Sequence, residues 1–234
     1  RTTRKDFLFI ADTAGPEFPA SPDDVIAWRH EKFNVSSEYA AIYSQDLTYY
    51  DEFTGKDIRF TPTYVMASKI PTQAVQTGLH YPIAGPRRGV VDGFKDMSWS
   101  PNNAYKELLY ANNINYIQQD AKITRFNAQN TSINTNGPLS QLNNMFTILD
   151  IKRNVQDLVS NYIFEFNDSE TRDSLYTALN NYLTRYTSNR SCQSISAEVS
   201  TSDYDIQQRI LRVNISIQFT GVIERIMVNL SVEQ

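Results

Sequence analysis

Cysteine is almost absent from this chain. Its 234 residues contain one, Cys192, so no disulfide can form within the molecule and nothing requires maturation in an oxidising compartment. Histidine is nearly as scarce. Neither His30 nor His80 has a second His, Cys or acid at metal-ligand spacing, and each reads as an ordinary surface or core residue. Cys192 has Arg190 as its one basic neighbour and reads as a structural thiol rather than a nucleophile. A basic excess is missing too: the formal net charge is -4, whereas a nucleic-acid-binding domain would be strongly basic. No run of about 18 apolar residues exists to cross a membrane, and no signal peptide is present. The Gly-x-Ser-x-Gly elbow, the P-loop and the dinucleotide fingerprint are all lacking. The acid pairs Asp23/Asp24 and Asp51/Glu52 fit a helix start and a solvated turn better than a general acid and base. Gly85-Pro86-Arg87-Arg88-Gly89 fits a rigid turn with a basic contact better than an anion cradle. The expectation is a non-enzymatic protein with no catalytic, cofactor-binding or metal-binding residues.

What is present is apolar and aromatic. At 41% hydrophobic the chain can bury a real core, and 14 Tyr, 12 Phe and 2 Trp supply side chains suited to interfaces or to a tyrosine-rich core. Six Asn-x-Ser/Thr sequons occur, but an Asn-, Ser- and Thr-rich chain generates them by chance, and Asn214 and Asn229 fall within predicted strands. Arg1 leads quickly into an apolar run, and the chain is expected to be part of something longer.

Residues 6–12 read as a buried strand. Ser21 and Pro22 then open a helix that buries Val25, Ile26 and Trp28, with Asp23 and Asp24 favouring the positive end of its dipole. Residues 39–50 read as the next strand, giving a βαβ-like unit, and residues 51–56 as a polar turn. Residues 61–70 are ambiguous, with Pro62 able to start a helix. Between residues 71 and 93 the chain becomes rich in Pro and Gly, which places the expected boundary between an α/β unit at 1–85 and a C-terminal domain at 86–234. In the second part a strand at 94–99, a helix at 102–111, two short strands around a turn and a polar, Asn-rich loop at 127–144 precede two amphipathic helices. Ile148, Ile151, Val155, Leu158, Val159 and Tyr162 mark the first helix. Leu175, Leu179, Tyr182, Leu183 and Tyr186 mark the second, with Asp168 or Ser169 as its cap. A short strand at 195–199 follows.

Strict alternation ends the chain. Leu211, Val213, Ile215, Ile217 and Phe219 alternate with polar residues; after a turn expected at Gly221, Ile226, Val228, Leu230 and Val232 continue the pattern. A period of two over this length predicts two long, half-buried strands. A two-stranded ribbon is marginal alone and wants a further strand or a packed helix. Its unpaired edge groups can also accept a strand from another molecule. The fold class is therefore α+β (mixed α/β): an N-terminal α/β sheet unit, then two helices on a small, mostly antiparallel sheet that ends in a long β-ribbon.

Three segments carry a resemblance to a known family. Pro82-Ile83-Ala84-Gly85 with Arg88-Gly89-Val90, then Leu109-Tyr110-Ala111-Asn112-Asn113-Ile114-Asn115-Tyr116-Ile117, then Asp150-Ile151-Lys152-Arg153-Asn154-Val155, resemble in order and spacing the contractile tail sheath proteins of myovirus-type bacteriophages. The segment from Thr124 to Thr131 lacks a glycine usual in that family, and the Asn- and Tyr-rich composition is similar to that of divergent sheaths from giant, phiKZ-like phages. The resemblance implies a fragment lacking the family's N-terminal part, and a structural subunit that polymerises in rings around a tail tube and contracts to drive it through the host envelope. It also implies partners: other sheath subunits, the tail tube protein, and baseplate and tail terminator proteins, with no nucleic acid and no membrane anchor. The expected location is the virion tail, after assembly in the host cytoplasm. Neighbouring subunits of the family exchange terminal strands, which assigns Leu211, Val213, Ile215, Ile217, Ile226, Val228, Leu230 and Val232 to intersubunit pairing. Lys152 and Arg153, on a helix with an apolar opposite face, become candidates for the surface that meets the tube. The competing reading is a non-enzymatic viral or cell-surface binding module.

Overall fold

The computed structural model describes residues 5–13, 21–120 and 123–224. The chain divides into two compact units, Arg1–Asp157 and Leu158–Gln234. This division differs from the boundary expected between residues 85 and 86. The Pro/Gly-rich stretch is not a linker, because Ile83 and Val91 lie in the core of the first unit. Gly89 is held so close to Ala84 that an added Cβ would sit 2.7 Å from its Cα.

In the first unit, β1 (Phe9–Asp12) and β2 (Ala40–Tyr43) pair in parallel with α1 (Pro22–Glu31) as the crossover. The start of α1 is written locally. Ser21 Oγ accepts from the Asp24 amide at 3.3 Å and Pro22 occupies the first turn. Its buried residues are Val25 and Arg29, while Ile26 and Trp28 are only partly covered. The expected strand at 39–50 is in fact two strands. Gln45 adopts φ +80°, the chain turns, and β3 (Leu47–Asp51) enters a second sheet. Beyond the polar turn β4 (Lys56–Phe60) pairs antiparallel with β3, and α2 (Pro62–Gln76) follows. Thr61 makes no side-chain cap for α2; Asp12, at the end of β1, instead accepts from the Thr63 amide at 3.0 Å.

Next, α3 (Gly85–Arg88) is a single turn, and Arg88 lies 4.0 Å over the Tyr81 ring, the basic contact expected of this segment. Short β5 (Asp96–Met97) completes the order β4-β3-β5. Asn102 caps α4 (Asn103–Ala111), and β6 (Ile114–Asn115) completes the parallel sheet β1-β2-β6. A small hairpin follows, β7 (Ile117–Gln119) with β8 (Thr124–Phe126), and then α5 (Leu142–Ser160). Tyr43, Leu47, Met66, Ile117, Phe126 and Leu142 share one core, with Tyr43 and Phe126 edge to face at 5.4 Å.

The second unit is simpler. Asp168 accepts from the Thr171 amide at 2.8 Å and opens α6 (Ser169–Ser188), whose Leu175, Leu179, Leu183 and Tyr186 form one buried stripe. β9 (Cys192–Ser200) follows, then α7 (Asp203–Gln207), which the sequence reading did not anticipate, and β10 (Arg212–Phe219). The mixed α+β class agrees with expectation. Of the two helices expected on the terminal sheet, α6 packs along β9, whereas α5 lies mostly in the first unit.

Candidate functional site

The polar segment expected as a loop at 127–144 shows a device that recurs in this protein. Gln129, Asn130, Thr131 and Ser132 are buried, although nothing apolar marks them for burial. Asn115 explains part of this. Its Nδ2 donates to Asn130 O at 2.8 Å while its Oδ1 accepts from Asn130 N at 2.6 Å, so one side-chain amide satisfies both backbone groups of one residue. Gln45 does the same for Ile117: Nε2 donates to Ile117 O at 2.9 Å and Oε1 accepts from Ile117 N. It also donates to Trp99 O at 2.9 Å. An amide has the donor and acceptor spacing of a peptide group, and it can replace a neighbouring strand where none fits.

In the second unit the device sits at the border of a sheet. β9 and β10 are antiparallel, with Val213 opposite Val199, Ile215 opposite Ala197 and Ile217 opposite Ile195. These six side chains share one face, and Arg212, Asn214, Ser216 and Gln218 point to the other. The alternation read from the sequence is realised: the apolar residues of β10 are half-buried and the polar ones exposed. Asn180, on α6, accepts from Ala197 N at 3.1 Å and donates to Ala197 O at 3.4 Å. Its Nδ2 also donates to Tyr176 O at 3.0 Å, one helical turn earlier, which fixes the amide. Because the N–H and C=O of Ala197 point to α6, Ala197 and Ile215 form a pair without mutual ladder bonds. The backbone groups of Val213, Ile215 and Ile217 therefore point away from β9, along the outer edge of β10. Among the described residues no strand pairs with that edge.

The entry to β10 is fixed by an ion pair. Arg212 donates from Nε and Nη2 to Asp205 at 3.0 and 2.8 Å, and Ser202 completes a capping box with Asp205. The Arg212 bonds, then the Ser202 bond, lower the Asp205 carboxyl to about 2. Among the described residues the exit carries no hairpin turn. Residues 220–224 form neither turn nor bend, and Gly221 lacks the positive φ that tight hairpin turns require. The turn expected at Gly221 is thus corrected. Leu211 lies just before β10, which contains Val213, Ile215 and Ile217. Ile226, Val228, Leu230 and Val232 lie outside the described residues.

Lys152 and Arg153 are placed on α5. Lys152 is half-buried and donates to Lys5 O at 2.8 Å, while Arg153 is exposed. The loop between α5 and α6 exposes Ile163, Phe164 and Phe166 together, and Phe164 sits at φ +73°, a strained conformation for a bulky residue. The sequence pattern marks only the cap that follows this loop, at Asp168 or Ser169. Arg29, also missed, is a buried cation with no carboxylate partner among the described residues. It donates to the carbonyls of Phe33, Asn112 and Ser132 and to Asn134 Oδ1, and burial lowers its pKa.

Elsewhere, a cavity of about 360 Å³ lined by Tyr49, Phe60, Tyr64, Ser68, Lys69 and Asp92 offers no nucleophile and base in hydrogen-bonded partnership; Ser68 donates its hydroxyl to Val65 O. Among the described residues no cluster of three His, Cys, Asp or Glu is arranged to hold a metal, and no helix is long and apolar enough to cross a membrane.

No protein-family model and no curated protein matches the chain by sequence. Solved structures do match. A chain of the anti-feeding prophage baseplate is similar over 97% of this chain and 60% of its own length, with TM-score 0.78 and 15% identity. A chain of the PVC sheath complex of an extracellular contractile injection system, in the contracted state, is similar over 95% and 63%, with TM-score 0.78 and 15% identity. A sheath tail protein from Listeria innocua is similar over 91% and 53%, with TM-score 0.57 and 14% identity. The fold is that of contractile-sheath proteins. The chain spans about three fifths of the first two structures.

Proposed function

We propose that this chain is a structural subunit of a contractile sheath, which joins its neighbours by adding their strands to the outer edge of β10. The observation that carries the reading is an edge whose outward N–H and C=O groups belong to the apolar residues Val213, Ile215 and Ile217, on a molecule with the sheath fold. Backbone pairing survives large rigid-body movements because it does not depend on whole surfaces staying in register. Such a joint suits an assembly that changes shape while its subunits stay linked. The donor strand is the alternating segment with Ile226, Val228, Leu230 and Val232. The role is mechanical and needs no cofactor, with free energy stored in the extended state at assembly. The finer assignment is a tail sheath of a divergent, phiKZ-like phage, working with tube, baseplate and terminator proteins. Of the two tube-facing candidates, Arg153 is the stronger, since Lys152 already donates to the chain's own backbone.

Electron microscopy of the concentrated protein tests the reading. Hollow tubes or rings are expected from the wild-type chain. Ile215→Pro deletes one outward N–H without touching a ladder bond, as edge strands tolerate, and should leave monomers. Wild-type monomers across salt and concentration, or tubes from Ile215→Pro, would overturn it. Reversing Arg153 to Glu should weaken assembly around a tube while sparing contacts between sheath subunits; unchanged assembly around the tube would remove Arg153 from that surface.

A further inference from the structure

A cavity in the first unit combines aromatic walls with two charges that meet no partner. Its volume of about 360 Å³ is at the lower end of the roughly 300–1,000 Å³ of small-molecule sites. Tyr49 on β3 and Phe60 at the end of β4 meet edge to face at 5.4 Å, and Phe60 stacks on Tyr64 at 4.8 Å with 24° between the rings. Tyr64 and Ser68, and beside them Val65 and Lys69, lie one helical turn apart on α2, so all four share the face turned to the cavity. Phe60 covers one face of the Tyr64 ring, yet Tyr64 is 62% exposed, which leaves its other face to solvent at the mouth. Opposite charges complete the lining. Val91 is buried, and its amide donates to Thr124 O at 2.8 Å, which anchors the segment that carries exposed Asp92. Lys69 is half-buried; burial pulls its pKa down and Asp92 works against that. Burial, then Asp92, raises the pKa of the Tyr49 hydroxyl. Asp92 thus lies close to both groups, but among the described residues neither Lys69 Nζ nor the Asp92 carboxylate closes a hydrogen bond or an ion pair.

These groups define what fits. A purely apolar molecule would strip water from Lys69 without replacing its hydrogen bonds. A simple anion would be repelled by Asp92, and a simple cation by Lys69. A neutral molecule bearing hydroxyls serves both, because one hydroxyl accepts from Lys69 Nζ while its neighbour donates to Asp92. The open face of Tyr64 takes polarised C–H bonds, which pack on the electron-rich face of an aromatic ring. A pyranose presents both features. We infer that this cavity is a saccharide-binding site, with Tyr64 as the platform under one sugar ring and Lys69 and Asp92 holding adjacent hydroxyls. The site lies within the first unit and does not rest on how subunits are joined. Its nearest competitor is a free amino acid, whose carboxylate and ammonium also match Lys69 and Asp92. The exposure of Tyr64, Ser68 and Asp92 makes the mouth wide, and charges left in water gain little from pairing, so the neutral ligand is favoured. A wide mouth also suits the end of a longer glycan, which would add recognition to a mechanical role.

The test is NMR of the isotope-labelled full chain, titrated separately with cellobiose, maltose, lactose and N,N′-diacetylchitobiose, and with phenylalanine as the zwitterion. At least one disaccharide should shift the amides of Tyr49, Tyr64, Lys69 and Asp92 together and saturably, with a Kd of about 1 mM, and leave α6 and β9 unmoved. Tyr64→Ala should weaken binding by roughly fivefold or more, and Tyr64→Phe by less than about twofold, because the ring and not its hydroxyl is the platform. Lys69→Met keeps the apolar stem and removes the donor; Asp92→Asn keeps the size and removes the charge. Each should weaken binding by about tenfold. Tyr64 and Asp92 are exposed, so an unchanged spectrum away from the cavity should show that their variants fold as the wild type does. No response to any of the four disaccharides overturns the proposal. Shifts with phenylalanine alone overturn the saccharide assignment and make this an amino-acid site. Sugar-induced shifts that persist undiminished in Tyr64→Ala and Asp92→Asn are adventitious binding at high concentration, and overturn it as well.

Discussion

In the first unit, Gln45 and Asn115 direct their amides at backbone groups that lie wholly inside the protein; in the second, Asn180 makes the same two bonds at the border of a sheet. The chemistry is shared and the surroundings differ. Inside, an amide joins segments that are far apart in sequence, Gln45 to Ile117 and Asn115 to Asn130, and no water can replace it. At the border, water can take over the bonds, so the amide matters less for stability. In the second unit the outward groups of β10 meet no strand among the described residues.

The contrast can be broken most forcefully at Arg29. Arg29→Met removes the guanidinium bonds to the Asn112 and Ser132 carbonyls and to Phe33 O, which keeps the Val35 N–H, and should cost about 3 kcal/mol in urea denaturation. Hydrogen exchange should locate the loss around Phe33, Asn112 and Ser132 and spare α6 and β9. Next comes the comparison of amides. Gln45→Leu strands both backbone groups of Ile117 and should cost about 2 kcal/mol, whereas Asn180→Ala should cost under about 1 kcal/mol. Equal costs would dissolve the distinction between interior and border. Phe164→Gly should act with the opposite sign. The side chain is fully exposed and its positive φ costs about 1 kcal/mol for a non-glycine residue, so the glycine variant should be more stable by up to that amount in urea denaturation.

The narrowest effect is in pH. The Asp205 carboxyl is lowered to about 2 by Arg212 and Ser202, below its usual value near 4. Its contribution is complete above the usual value and fades as pH falls through about 2, because the unfolded chain takes up the proton first. Wild type and Asp205→Asn should differ in melting temperature at neutral pH and converge in that acid range. A constant gap would contradict the Asp205–Arg212 clamp.

How much of this was legible in the sequence depends on distance. Ser21, Asp168 and the 175–186 stripe act on their own neighbourhood, and the helices they define are where the pattern places them. The alternation of β10 is equally local and equally readable. The break at Gln45 was not, because its left-handed backbone is held by Trp99 and Ile117, more than fifty positions away. The polar stretch at 127–144 looked like a solvent-facing loop because polarity suggests water, and its real partners, Asn115, Ser37 and Ala40, are also remote. Arg29 was hidden by the rule that charges stay outside, which fails when several carbonyls converge. The Pro/Gly-rich stretch gave a correct cue to irregular backbone and a misleading one to a boundary.

One property of the open β10 edge reaches beyond a single molecule. A seam made from main-chain groups asks its two sides for an alternation of apolar and polar residues, and for little else. Valine may become isoleucine on one side with no matching change on the other. Lineages can therefore rewrite such a seam one residue at a time, and conserve the architecture long after the wording has been lost.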